Sequence, residues 1–366
     1  MSVPVVTLRP VSTVEIAHRR LATQHVAVPR LDTAAEVVGS LCAVQAQEYP
    51  VAKWSLAQRT GGGLTDAELD RAFADGVFLR THVMRPTWHF VLPADIRWML
   101  ALTAPRVHAV SAYYYRKLGV DDELTATVAL LLTAALAGGN RLTRKEIGAL
   151  LTAAGIEADG LRLGYVLMRA ELDALICSGG LSGRQHTYAL LDERAPDARE
   201  LPRDEALAEL TARYFTGHGP ASAKDFGWWS GLTAADVRRG LDLAGGRLRS
   251  EVVDGVTYWF GAAPRAPRPE PAPTAHLIQC YDEYVMGYSE TRGALNVAGT
   301  VTGEGTFLHA ILLDSQLVGW WRRVPKGRSV TVETDILVPL DAAQRAALDD
   351  AVERYGRFLG VPTTWV

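Results

Sequence analysis

Cysteine is scarce: three stand in 366 residues, Cys42, Cys177 and Cys280, far apart and with no Cys-x-x-Cys pair. That odd, scattered set excludes a disulfide framework and a zinc ribbon, and it reads as reduced structural thiols in a cytoplasmic protein. Long apolar runs are missing as well. No stretch reaches about eighteen uninterrupted apolar residues, so no membrane span is expected. The opening MSVPVVTLRPVSTVEIAHRR lacks the charged-then-apolar order of a secretory signal. Familiar catalytic signatures are absent too: no Gly-x-Ser-x-Gly elbow, no phosphate loop ending in Gly-Lys-Ser/Thr, no His-Glu-x-x-His helix and no zinc-deaminase pattern. These absences argue against dinucleotide, NTP and metal chemistry, and neither a metal nor a cofactor is expected.

What is present is ordinary in bulk and uneven in detail. The chain is 48% hydrophobic and 22% charged with a net charge of −3, which places it among globular proteins of more than one domain. Lysine supplies only 5 of the 38 basic residues, leaving 33 arginines, a skew that base composition of a genome can produce. Between Arg80 and Lys117 six Arg or Lys face one acid, Asp95, with His82, His89 and His108 among them. Such a local surplus is either a solvated helix face or a face for phosphates.

Five prolines in residues 263–275 mark a stiff linker between a long N-terminal part and a C-terminal piece. Helical spacing covers 13–22, 33–44, 51–58 and 65–73, with Thr33-Ala-Ala-Glu36 as a capping-box signal. Strand pairs at 77–81 and 87–91 follow, then a helix to about 117. Helices at 122–137, 143–152 and 161–176 lead to a Gly-turned hairpin in SGGLSGRQHTYALL. Helices at 204–216, 222–229 and 233–243 lead to a third hairpin about Asp254-Gly255. Helices closed by a hairpin thus recur, the outline of a winged helix. The expected fold is α+β: winged-helix units over 1–120, 121–200 and 201–262, then the linker and a β-rich, barrel-like domain over 276–366. Its strands are expected at 294–302, 306–314, 316–322 and 329–337, with a closing helix at 341–359.

Among candidate functional residues, Gln45 and Gln47 in LCAVQAQEYPVAKWSL stand out. Pro50 biases Tyr49 away from helix, so the two amides lie at a bend that could turn both to one side. Taken alone, such a pair reads as glutamines that cap or solvate the end of a helix. Arg80, Arg85 and His89 could meet phosphates, although Arg80 could instead pair with Asp75. Arg184, Gln185 and His186 sit at a hairpin tip, as a groove-probing wing would, or as a solvated loop. Trp228-Trp229 and Trp320-Trp321 read as core aromatics. Asp282 and Glu283 diverge as sequence neighbours and read as structural hydrogen-bonding or ion-pairing groups.

The frame LCAVQAQEYPVAKWSLAQR resembles the core of the AlkZ and YcaQ group of bacterial DNA glycosylases. RTHVMRPTWHFVLPADIRWML resembles the family's arginine-then-Thr-x-His segment. GHGPASAKDFGWWSGL resembles its third-unit signature, and LIQCYDEYVMGYSETR its FDEYLLGY-type motif, with Tyr281 in place of the usual Phe. The order is preserved across nearly the whole chain. The resemblance implies a monofunctional glycosylase that excises N7-alkylated purines from double-stranded DNA and unhooks interstrand crosslinks. It also implies Gln45 and Gln47 as the catalytic pair of the AlkZ-like branch, whose members are often tied to self-resistance against a DNA-alkylating antibiotic. An open concave DNA-binding surface and a monomeric protein are expected. Two other readings remain: a winged-helix transcription regulator, and a non-catalytic drug-sequestering protein.

Overall fold

The computed structural model describes residues 12–262, 273–299 and 309–366. Helices begin where short polar side chains can take the free amides of a first turn. Thr33, Thr65, Thr143 and Ser222 each close a reciprocal capping box with the acid three residues on: Glu36, Glu68, Glu146 and Asp225.

The first array contains α1 (Thr13–Thr23), α2 (Ala34–Leu41), the short strand β1 (Val44–Gln45), α3 (Tyr49–Ala57) and α4 (Asp66–Ala74). The hairpin β2 (Leu79–Val83) and β3 (Arg85–Val91) follows, and then the long α5 (Ile96–Leu118). The second runs α6 (Asp122–Leu136), β4 (Leu142–Thr143), α7 (Arg144–Ala153), α8 (Gly160–Leu172), β5 (Ile176–Ser182) and β6 (Gln185–Leu190), with one short turn, α9 (Leu191–Arg194), after it. The third comprises α10 (Arg203–His218), α11 (Ala223–Ser230), α12 (Ala234–Ala244) and the hairpin β7 (Leu248–Val253) and β8 (Val256–Gly261). In the first two arrays a short third strand joins the hairpin, giving the orders β1-β3-β2 and β4-β6-β5.

The C-terminal part holds β9 (Ala275–Ile278), α13 (Glu283–Met286), β10 (His309–Leu313), β11 (Gln316–Lys326), β12 (Ser329–Ile336), α14 (Ala342–Leu359) and β13 (Thr363–Trp365). Its five strands lie in the order β9-β10-β11-β12-β13, with only the last pair parallel. Among the described residues neither outer strand has a further partner, so the sheet is a half-barrel.

Three expectations change here. The strand expected at 294–302 is a 3₁₀ turn over Arg292–Asn296, and its last three residues, 300–302, lie outside the described residues. The linker expected over 263–275 lies outside them up to residue 272, and Ala275 already opens β9. The helix expected to reach residue 176 ends at Leu172, because Ile176 pairs with Leu190 in the hairpin.

The hydrophobic cores cross the boundaries expected from sequence. One cluster carries Trp98, Leu132, Leu167, Tyr214 and Trp229 from all three arrays. Another joins Leu41, Trp54, Phe73 and Phe90 of the first array to Leu277, Trp321, Tyr355 and Phe358 of the C-terminal part. Polar anchors follow the same seam. The Trp54 indole donates to the Leu277 carbonyl at 2.7 Å, and Arg59 makes a bidentate pair with Asp282 at 2.7 and 2.9 Å. Both partners of that pair are fully buried. Removing one leaves an uncompensated buried charge, so Arg59→Ala is expected to lower stability by about 3–5 kcal/mol, read by urea unfolding.

Candidate active site

The glutamine segment is shaped by a sharp turn. Helix α2 ends at Leu41, and Cys42 takes a φ of 67°, a left-handed conformation that non-glycine residues seldom adopt. The chain is thereby turned so that Val44 and Gln45 run antiparallel along β3. Gln45 lies opposite His89, and His89 lies opposite Thr81, so the three share one face of this small sheet. The Ala46 N–H donates to the Trp88 carbonyl at 2.7 Å and extends the pairing by one residue.

Gln45 is 2% exposed and held at both ends. Its main-chain N–H donates to Glu283 Oε1 at 2.8 Å, and its side-chain Oε1 accepts from Arg85 Nη2 at 2.9 Å. Gln47 is half-buried, and its Oε1 takes only a long 3.4 Å contact from the Trp88 N–H. The two amide oxygens are therefore unequal. One is committed to a guanidinium, and the other keeps a lone pair to offer.

Glu283 is the buried centre of this arrangement. Besides Gln45 it accepts from the Trp229 indole at 2.7 Å and from His218 Nε2 at 3.1 Å, through Oε2 in both cases. Burial alone would raise its pKa. The His218 contact and charge, with the Gln45 N–H, outweigh that and hold the carboxyl below the usual glutamate value. The next turn is tight: Gly287 lies where a Cβ would come within 2.5 Å of the Glu283 carbonyl. Asp225, at the start of α11, accepts from the N–H groups of Ser289 and Thr291 at 2.8 and 3.1 Å and so ties the same C-terminal segment to the third array. Gly231, at φ 69°, ends α11 against the Met84 carbonyl, where a Cβ would meet oxygen at 2.4 Å.

The residues expected from sequence fall into different roles. Arg80 is not paired with Asp75. It is buried, donates through Nε to the Ala46 carbonyl at 2.9 Å, reaches the Gln47 carbonyl at 3.5 Å, and lies 4.3 Å from the Trp88 ring centre. Burial pushes its pKa down to about 10. It braces the glutamine segment from behind. His89 is fully buried and has no surface to give a phosphate, which corrects that expectation. Its Nδ1 must carry the proton, because it faces the Thr87 carbonyl at 3.0 Å. His186 is no groove probe either: its ring packs edge-on against Tyr49 at 4.8 Å, and burial pushes its pKa down to about 4. Arg184 and Gln185 remain exposed at the hairpin tip. Arg85 alone of the expected cations stands in contact with a glutamine side chain.

Glu283 is the structural hydrogen-bonding group expected of it, but sequence reasoning missed its partners His218 and Trp229. The signal lay in the Asp-Glu-Tyr and Gly-His-Gly segments, whose meaning depends on partners more than fifty residues away. A cavity of about 460 Å³ between α3 and α14 has neither glutamine in its wall. Among the described residues no helix is long and apolar enough to cross a membrane, and no cluster of His, Cys, Asp or Glu could hold a metal ion.

A helix-and-hairpin array thus sets Gln45 against the Asp-Glu-Tyr segment, with Gln47 two residues on and half-buried. The model of the AlkZ-like DNA glycosylase family matches residues 38–358, and the chain belongs to that family. An interstrand DNA cross-link repair glycosylase of Streptomyces sahachiroi is 27% identical over 342 residues, covering 86% of this chain and 89% of the relative. The solved structure of the Streptomyces sahachiroi DNA glycosylase AlkZ superimposes with a TM-score of 0.79 at 24% identity, over 98% of this chain and all of that one, and shares the fold.

The buried imidazole on the glutamine face gives a pH signature. Burial, and then the charge of Arg85, push the pKa of His89 from 6.5 down to about 3. The unfolded chain therefore binds this proton first as pH falls, and the contribution of His89 is intact above 6.5 and lost progressively from there to about 3. In urea unfolding across that window, His89→Asn is expected to lose one proton's worth of slope, about 1.4 kcal/mol per pH unit.

Proposed function

We propose that this protein is a monofunctional DNA glycosylase that hydrolyses the N-glycosidic bond of N7-alkylated purines in double-stranded DNA. Bulky adducts and interstrand crosslinks fall within its range, and its cellular role is cytoplasmic DNA repair or self-resistance to a DNA-alkylating natural product. The observation that carries the reading is the Gln45–Gln47 pair: Gln45 is held through its side-chain oxygen by Arg85 and through its main-chain N–H by Glu283, and Gln47 keeps a free carbonyl lone pair. Family membership and the name of the Streptomyces relative support the same activity and the crosslink substrate. In this reading the three helix-and-hairpin arrays are winged-helix units of residues 1–120, 121–200 and 201–262. They present a concave surface to the duplex, and the part from 276 to 366 closes the site from behind. The protein works as a monomer.

The chemistry suits amides. An ordinary glycoside requires a carboxylic acid to protonate its leaving group. A purine alkylated at N7 is already cationic, so it departs with the bond's electron pair and becomes neutral without a proton. The sugar passes through an oxocarbenium ion, water adds its oxygen to C1′, and the released proton goes to solvent. An abasic site remains. Gln47 holds the water through Oε1, and its carbonyl dipole stabilises the positive sugar. Gln45, with its oxygen on Arg85, fixes the strand that presents Gln47. A glutamine takes no proton, and this substrate asks for no base.

The test is single-turnover excision of N7-methylguanine from a duplex, scored as alkali-cleavable abasic sites against a no-enzyme control. Gln47→Ala is expected to lose on the order of 10²-fold in rate, roughly 3 kcal/mol, with DNA affinity retained. Excision at the wild-type rate would remove Gln47 from the water-holding role.

A further inference from the structure

Two arginines from distant parts of the chain meet on one tryptophan beside Gln45. The Arg85 guanidinium carbon lies 4.4 Å from the Trp228 ring centre, and that of Arg292 lies 5.2 Å from the same ring. Arg85 comes from the first hairpin, Trp228 from α11, and Arg292 from the stretch that follows α13. Trp228 is itself half-buried, so its ring is a wall of the site and not a core residue.

Neither cation has a carboxylate partner among the described residues. Arg85 spends Nη2 on the Gln45 carbonyl, and its Nε is buried without an acceptor. Arg292 spends Nε on the Tyr288 carbonyl at 3.1 Å, and no acceptor for its two terminal nitrogens is found among the described residues. Burial lowers the pKa of both groups; the Glu283 charge raises that of Arg85 and the Arg292 charge lowers it, while the Asp225 charge raises that of Arg292. Two other guanidiniums are answered by carboxylates, Arg59 by Asp282 and Arg213 by Asp95, whereas the buried Arg80 meets main-chain carbonyls. Two partly buried guanidiniums held on one ring, neither in a direct ion pair among the described residues, form a fork for a planar or tetrahedral anion.

We propose that Arg85 and Arg292, braced on Trp228, clamp one backbone phosphate of the damaged strand beside Gln45. The proposal rests on the glycosylase reading and names the contact that seats its substrate. Because Arg85 also holds the Gln45 carbonyl, the phosphate and the glutamine strand share one guanidinium. Sugar placement and glutamine orientation are thereby linked. The clamp joins the first array, the third array and the C-terminal part at a single atom group of DNA.

The test uses the full chain and duplexes that carry one 2′-fluorinated, non-hydrolysable N7-methyldeoxyguanosine. A single uncharged methylphosphonate is stepped through the phosphates around it, and affinity is read by anisotropy. One position is expected to weaken wild-type binding about tenfold, the loss of one charge-assisted contact. Arg292→Gln should weaken binding to the native backbone by a similar factor and lose nothing more at that position, with a salt slope smaller by about one. Arg292→Lys, which keeps the charge, should recover part of the loss in a protein of wild-type melting temperature. Losses that simply add at every position, or Arg292→Gln binding with wild-type affinity and salt slope, would overturn the clamp. A site for free phosphate would leave the methylphosphonate scan flat and overturn it equally. Excision is measured on the same wild-type preparation with cleavable substrate. Coupling without excision would support the clamp and sink the glycosylase reading.

Discussion

A single buried carboxylate, Glu283, sets the terms for the rest of the site. Placing an ionised group where water does not reach costs several kcal/mol unless donors surround it. Here the donors come from three places: the Gln45 main chain, the Trp229 indole and the His218 ring. Satisfying the charge therefore requires the first array, the third array and the C-terminal segment to be in place together. Its neighbour Asp282 points the other way and binds Arg59, so two consecutive acids fasten the segment on both sides.

This dependence explains why the glutamine strand is so short. Two residues of β1 pair with β3, too few to hold a strand by ladder bonds alone. The strand is kept by contacts outside the ladder: Glu283 on its N–H, Arg80 on its carbonyls and Arg85 on its side chain. The shared cores make the same point at larger scale. Trp54 and Phe90 of the first array are buried against Tyr355 and Trp321 of the last element group, and no array closes its core alone. A rigid presentation of one amide oxygen is what such over-determination achieves, as the proposed hydrolysis requires.

Much of the local structure could be read from sequence, because its causes are local. Thr33 with Glu36 and Thr143 with Glu146 cap helices through side chains three residues apart, and Asp254-Gly255 turns a hairpin with both residues at positive φ. The bend that carries Gln45 and Gln47 lies earlier than Pro50 suggested: the helix expected to reach residue 44 ends at Leu41, Cys42 turns the chain, and Tyr49, expected outside a helix, opens α3 with Pro50 in its first turn. The four motifs that resemble the AlkZ-like family are the ones that meet in space. What stayed hidden depends on distance or burial. Arg80 and His89 have the residue types of phosphate contacts, yet both are buried, and burial is not written in a strand's alphabet. Asp282 and Glu283 were rightly taken to diverge, but their partners lie 223 and 238 residues away. Strands of two or three residues, such as β4 and β13, carry too little pattern to be seen.

In the proposed reaction the Glu283 carboxylate orients the glutamine strand for hydrolysis. Glu283→Gln preserves shape and volume, but an amide cannot accept from all three donors, because its NH₂ must face one of them. Single-turnover excision of N7-methylguanine by this variant, measured beside its DNA affinity and its unfolding curve, tests the claim directly. The expected result is a folded protein that binds duplex with wild-type affinity and excises on the order of 10²-fold more slowly. Wild-type excision by folded Glu283→Gln would contradict it.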